Sequence, residues 1–306
     1  MGALPTGKER YLIEDYSLRF VVTGRDLVEG SVGKKPQTSA PLILASPNYD
    51  LTPTKGTGVS EERSLSLEAS RIPRAQPLPA TIPEARHAYT NLKTLTGVEP
   101  RQYQDEEASE AVVKATKSPL VLMLATHGFF LKQQDVEIKD THFLGLDSAE
   151  KRSASLKDRE GKEVENPLLR CGLLLAGANR RGEVKEGEDD GILTGLEIVG
   201  LDLRGTQMVV LSACETGVGD IQTGEGVAGL RQAFQLAGAE SVLATLWQIN
   251  DSATGRLMNT FYKELANGAD RAEALTMAQR QFIKERRVRY GAAHPFFWAS
   301  FTMTGK

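Results

Sequence analysis

A chain of 306 residues makes one large domain or two small ones at roughly 150 residues each. With 40% hydrophobic and 25% charged residues, 29 Gly and 13 Pro, it is not a disordered, fibrous or disulfide-stapled polypeptide. Its 37 Lys and Arg against 40 Asp and Glu leave a net charge of −3, so nothing electrostatic calls for a polyanion and no direct nucleic-acid binding is expected.

Residues 9–40 carry short β-like runs, Arg19 to Val22 among them, and end in a loop, SVGKKPQTSA. Pro41 to Ser46 (PLILAS) is a continuous apolar run between turn residues, the pattern of a strand buried on both faces. Residues 53–80 hold Pro, Ser and Thr without periodicity and read as a long surface loop. Glu84 to Leu95 and Glu106 to Thr116 read as helices, and Leu120 to Ala125 (LVLMLA) is the strongest strand. Residues 131–167 are charge-rich and aperiodic. Gly172 to Ala176 reads as a strand, and Gly182 to Asp190 holds five acids against one base. The whole span 131–190 is read as containing a charged insertion on a core. Thr194 to Glu197 has capping-box spacing and predicts a short helix.

The alternation then resumes. Gln207 to Ser212 (QMVVLS) is a strand, Glu225 to Leu236 a helix, Ser241 to Leu246 a strand, and Asp251 opens a helix to about Ala266. Asp270 with Glu273 repeats the capping box ahead of a last helix to about Glu285, and Phe296 to Met303 is an aromatic-rich final strand. Strands alternating with helices predict a mostly parallel sheet covered on both faces. No repeat of 20–50 residues is present, which removes solenoids.

Two cysteines, Cys171 and Cys214, cannot build a disulfide framework and point to a reducing compartment. The longest apolar run, the seven residues Pro119 to Ala125, falls far short of the ~18–20 that cross a bilayer. The start, MGALPTGKERYLIEDY, has neither the apolar stretch nor the cleavage site of a signal peptide. A cytoplasmic location and no membrane partner are expected.

In open α/β sheets, reactive groups collect beyond the carboxyl ends of the strands. Just past LVLMLA stand Thr126, His127 and Gly128, and just past QMVVLS stand Ala213, Cys214 and Glu215. If those two strands are parallel neighbours, one rim receives an imidazole and a thiol, as a Cys-His dyad requires. The backbone N–H groups of Gly128 and Cys214 are then placed to hold an oxyanion. The other three histidines lie elsewhere: His87 in a predicted helix, His142 in the insertion, His294 before Pro295. Cys171 falls beside the inserted apolar run. No close Cys or His spacing suggests zinc, so neither metal nor cofactor is expected. The stretch Gly217 to Gly226 invites a nucleotide-loop reading. It fails, because a fingerprint starting at Gly217 needs glycine at Gln222, and no Gly-Lys-Ser/Thr follows.

The segments ATHGFF (125–130), LSACETG (211–217) and GEGVAGLRQAFQLAGAESVLATLWQIND (224–251) together resemble the CHAT domain, the caspase-like domain often attached to tetratricopeptide repeats. Softer likenesses run from YLIEDYSLRFVVTGRDL through PLILASPNYD and LTGLEIVGLDLRG to HPFFWASFTMTG, so the resemblance covers nearly the whole chain, 1–306, as a single domain. It implies a caspase-like α/β/α sandwich and peptide-bond hydrolysis, with His127 as acid/base, Cys214 as nucleophile and Gly128 beside the oxyanion. His127 and Cys214 stand 87 residues apart against ~50 in caspases, a difference the charged insertion accounts for. A protein or peptide substrate and a regulatory protein or tetratricopeptide-repeat module are the implied partners, and many family members act in bacterial defence. The alternative is a catalytically silent scaffold that binds a protein.

Relatives that cut after basic residues line the first pocket with an acid. Asp50 and Asp251 are the candidates here, with Glu215 a further substrate-binding candidate beside the thiol. Asp251 reads as a helix N-cap in preference to a pocket acid, and Asp50 equally as a turn residue. The separase-like acid position is occupied by Gly255, which leans away from a strictly basic pocket. Glu225 reads as a loop-fixing acid or part of the substrate wall, its helix-start position favouring the former, and the acidic run over 183–190 as either a solvated loop or a control element.

Overall fold

The computed structural model describes residues 2–7, 10–21, 37–52, 72–131, 166–185, 188–212, 225–247 and 251–305. In its first half the elements are β1 (Pro5–Gly7), β2 (Arg10–Tyr11), α1 (Leu12–Asp15), β3 (Leu42–Pro47), α2 (Thr81–Thr96), β4 (Arg101–Asp105), α3 (Glu110–Ala115), β5 (Val121–Ala125) and β6 (His127–Phe130). There follow β7 (Cys171–Leu174), β8 (Ile192–Thr194), α4 (Gly195–Val199), β9 (Met208–Leu211), α5 (Glu225–Leu236), β10 (Ser241–Thr245), α6 (Asp251–Ala266), α7 (Arg271–Tyr290) and β11 (Phe301–Gly305).

The apolar runs become the centre of a six-stranded sheet in the order β11-β10-β9-β5-β3-β4. All its pairings are parallel except β10 with β11. Every residue of β3, β5, β9 and β10 is buried, because alternate side chains enter two different cores. Ile43, Met123, Val210 and Leu243 face a layer built from Ala85 and Leu92 of α2, Leu257 and Phe261 of α6, and Phe282 of α7. Leu42, Leu124, Val209 and Val242 face the opposite layer, with Val113 of α3, Ile198 of α4 and Phe234 of α5. This is a mixed α/β sandwich with a largely parallel central sheet.

A second, antiparallel sheet, β6-β7-β8, continues from the first. A single residue, Thr126, separates β5 from β6, so the chain turns from one sheet into the other at His127. Gly172 of β7 lets the two layers close. A Cβ there would lie 2.5 Å from the Leu193 carbonyl oxygen and 2.6 Å from the Phe129 ring.

The structure corrects several expectations. The span 131–190 is not peripheral throughout: Cys171, Leu173 and Leu175 are core residues, and β7 is the middle strand of the small sheet. Residues 132–165 of that span lie outside the described residues. The segment 72–80 is not merely a surface loop, since Ile72 and Ala75 are buried. The helix expected from Glu106 begins only at Glu110, after a turn in which Ser109 N–H donates to Glu107 O. The last helix extends to Tyr290 and stops at Gly291 in the left-handed region, φ 72°. Asp270 caps its start by accepting from Glu273 N–H at 2.9 Å. The closing strand starts at Phe301, because Pro295–Phe297 forms a 3-10 turn. Strand β4 (RQYQD) escaped the hydrophobic pattern because it is an edge strand, only partly buried. Among the described residues no helix is long and apolar enough to cross a membrane.

Candidate active site

The switch in strand order falls between β3 and β5, the place in an open α/β sheet where functional groups collect at the carboxyl ends. Tyr49 and Asp50 follow β3 at that point, and Thr126 and His127 follow β5. The Thr126 side chain is fully enclosed. Its hydroxyl donates to the Leu174 carbonyl of β7, which leaves its oxygen to accept from the Tyr49 phenol at 2.9 Å. Tyr49 is itself buried, which pushes its phenol up to about 12, so it remains a donor at neutral pH.

His127 is 9% exposed and lies against the Tyr49 ring, with centroids 5.4 Å apart. Its Nε2 lies 2.8 Å from the carbonyl oxygen of Gln76. A carbonyl can only accept, so in the neutral ring Nε2 carries the hydrogen and Nδ1 is left with the lone pair. Burial pulls the imidazole below its ordinary value, against the smaller opposing effect of the Gln76 carbonyl, which favours the neutral base. Gln76 is held indirectly. Asn179 brackets the preceding residue, its Oδ1 accepting from Ala75 N–H at 2.7 Å and its Nδ2 donating to Ala75 O at 3.0 Å.

The ladder register also places Gly128. Leu131 N–H donates to Arg170 O, so the alternation of an antiparallel pair puts Phe129 and His127 in the bonded rungs opposite Gly172 and Leu174. Gly128 stands opposite Leu173, between those two rungs.

The sequence model of the CHAT domain matches residues 1–306. The chain belongs to the CHAT domain family. Over 106 residues it is 34% identical to Tetratricopeptide repeat protein 28 of Mus musculus, a stretch covering 34% of this chain and 4% of that protein. Against Tetratricopeptide repeat protein 28 of Homo sapiens it is 31% identical over 114 residues, 37% of the chain and 4% of the relative. The matched stretch is thus a small part of either relative's length. The largely parallel sheet agrees with a caspase-like CHAT fold.

Within this CHAT fold, the two strands expected to meet do so. β5 and β9 are parallel neighbours with Leu124 opposite Leu211, and Ser212 N–H donates to Leu124 O at 3.0 Å. Cys214 and Glu215 lie outside the described residues, as do residues 217–224 of the glycine-rich stretch. Asp251 and Glu225 are the first residues of α6 and α5, and their side chains also lie outside the described residues. A side chain at Gly255 would meet nothing within 4 Å.

Asp50 is already engaged. Arg74 donates to its carboxylate at 2.6 Å and Asn179 at 3.1 Å, and these bonds, Arg74 first, hold it below the usual carboxylate range. Beside it a groove of about 670 Å³ is walled by Tyr49 and Pro77 and rimmed by Asp50, Asp105, Glu106 and Glu107. The end of the acidic run is tied down as well: Asp190 accepts from Ile192 N–H at 2.9 Å, and Asp189 lies 3.8 Å from Lys114. Among the described residues no His, Cys, Asp and Glu group is arranged to hold a metal ion.

Tyr49, Thr126, Gln76 and Asn179 complete the His127 environment without having been singled out from sequence. Tyr49 stands in the PLILASPNYD likeness and Thr126 in ATHGFF, and those were the available signals. Gln76 acts through its backbone, which no residue type reveals.

Proposed function

We propose that this CHAT chain is a cysteine endopeptidase, one unit over 1–306, whose reacting pair is His127 and Cys214. The observation that carries the reading is the pairing of β5 with β9, which brings the exits of two motif-bearing strands to one rim. Cys214 stands two residues beyond Ser212, a tether of at most about 7 Å between Cα atoms. A neutral imidazole with Nδ1 unprotonated and Nε2–H bound to Gln76 O is the form a general base needs.

His127 Nδ1 takes the proton of the Cys214 thiol, and the thiolate sulfur bonds to the scissile carbonyl carbon. The oxyanion is held by the N–H groups of Gly128 and Cys214. On collapse the C–N bond breaks, and the imidazolium gives its proton to the leaving amine. Water then adds to the thioester while His127 takes a proton from it. The acid departs, and the proton returns to sulfur.

A regulatory partner built of tetratricopeptide repeats fits both the family and the name of the relatives, and the two-cysteine composition fits a reducing, cytoplasmic setting. A place in bacterial defence belongs to the same proposal. The test is cleavage of a diverse peptide pool, read by mass spectrometry, by the chain and by Cys214→Ala and His127→Ala. Cleavage lost in both variants supports the peptidase. Equal cleavage by all three rejects it, and no cleavage by any, even with the repeat partner present, favours the silent scaffold.

A further inference from the structure

The nucleophile's strand is gripped from a helix that the reaction does not use. Glu84 stands in the first turn of α2, one residue before Ala85, whose side chain faces the sheet with Ala88 and Leu92. Its carboxylate reaches across to the rim, where Oε2 accepts from Ser212 Oγ at 2.9 Å. Ser212 is the first residue after β9, and its N–H is already given to Leu124 O of β5 at 3.0 Å. Backbone and side chain of one residue are thus fastened to two different elements, two positions before Cys214.

The carboxylate lies over the apolar layer rather than in open solvent. Its charge is felt by the fully buried Tyr262 phenol, where it adds to burial in holding that group protonated. A hydroxyl donating to a carboxylate in such surroundings is a stronger tether than one between neutral groups. Among the described residues, Ser212 is the last rung shared with the strand that delivers His127. A shift of Ser212 is passed along the chain to Cys214, two positions on.

We propose that Glu84, through Ser212, is a positioning residue for Cys214. It fixes Ser212, the residue from which the chain runs on to Cys214 two positions later. This rests on the peptidase reading above, and it predicts a defect in the chemical step rather than in substrate binding. Misplacing reacting groups by about 1 Å costs on the order of a hundredfold. Glu84→Ala and Ser212→Ala are therefore expected to lower kcat by roughly 10–100-fold with little change in KM. Glu84→Gln and Ser212→Thr, which keep an acceptor and a donor, should recover most of it. The double alanine variant should be no worse than either single one, as for two halves of one contact.

The experiment pairs peptide turnover with the rate of Cys214 alkylation by iodoacetamide across pH, resolved peptide by peptide in a mass spectrometer so that Cys171 is counted separately. Far-UV and near-UV circular dichroism confirm that each variant is folded. The expected result is a wild-type Cys214 that alkylates fast near neutral pH and alanine variants that react as ordinary thiols. Alanine variants with wild-type alkylation and kcat overturn the tether while leaving the peptidase intact, as does a double variant whose losses multiply. A wild-type thiol of ordinary reactivity together with no turnover rejects the peptidase reading, and the tether with it.

Discussion

The imidazole of His127 rests on the phenol ring of Tyr49 at an interplanar angle of 35°, and the same phenol donates to Thr126, the residue at which the chain changes sheets. One side chain from the end of β3 therefore fixes both the ring and the turn that presents it. Tyr49→Phe keeps the ring and loses the donor. About 1 kcal/mol of stability should go with it, measured by urea unfolding. Tyr49→Ala removes the support itself and should cost about 3–5 kcal/mol with a larger fall in peptide turnover.

His127 should titrate below the 6.5 of an ordinary imidazole, because burial opposes its charged form. The measurement is an NMR titration of Cys214→Ala, in which no thiolate can perturb the ring, with His127→Ala to assign the resonance. The folded value lies below the unfolded one, so between the two the unfolded chain binds more protons. Stability contributed by this group is present above 6.5 and falls as pH drops through the folded value. A ring titrating above 6.5 would contradict the buried, neutral base.

Glu110 gives the opposite sign. It is 2% exposed, accepts from Gly191 N–H at 2.9 Å and shares Lys114 with Glu197, which lies 2.9 Å from the ammonium, and Asp189. Burial first, then the charges of Asp190 and Glu197, push its carboxyl up to about 8. The folded state then holds a proton that the unfolded state has released, so stability falls as pH rises from 4.5 to about 8, by about 1 kcal/mol per unit. In Glu110→Gln that slope should disappear. Urea unfolding at pH 5, 7 and 9 should find the variant gaining on the wild type as pH rises.

Gly172→Ala tests the joint between the sheets. The added methyl would meet the Leu193 carbonyl and the Phe129 ring well inside contact distance, and a backbone oxygen cannot rotate away. We expect a loss of about 1–3 kcal/mol and a lowered Tm. Turnover should fall too, since Phe129 and His127 share the strand that must move.

Much of the architecture follows from local pattern. LVLMLA, QMVVLS and PLILAS each read as buried strands because no side of them is polar, and the helices at Glu225 and Asp251 begin where their spacing says. Polar β4 carries no such signal, because an edge strand needs no second apolar face. The motif ATHGFF named the histidine, yet its HGFF half is a strand only through pairing with Cys171–Leu174, more than 40 residues on.

Spacing, apolar alternation and capping residues operate within a few positions of one another. They were enough to mark the α/β layers and the strands that run into His127 and Cys214, while the family came from the likeness of whole segments such as ATHGFF and LSACETG. What they could not carry was the meeting of distant groups. Tyr49 reaches Thr126 across 77 positions, Gln76 meets His127 across 51, and Glu84 binds Ser212 across 128. Such contacts arise from strand order and from backbone atoms common to every residue. Burial then gives them their strength, because it removes the water that would otherwise compete for each donor and acceptor.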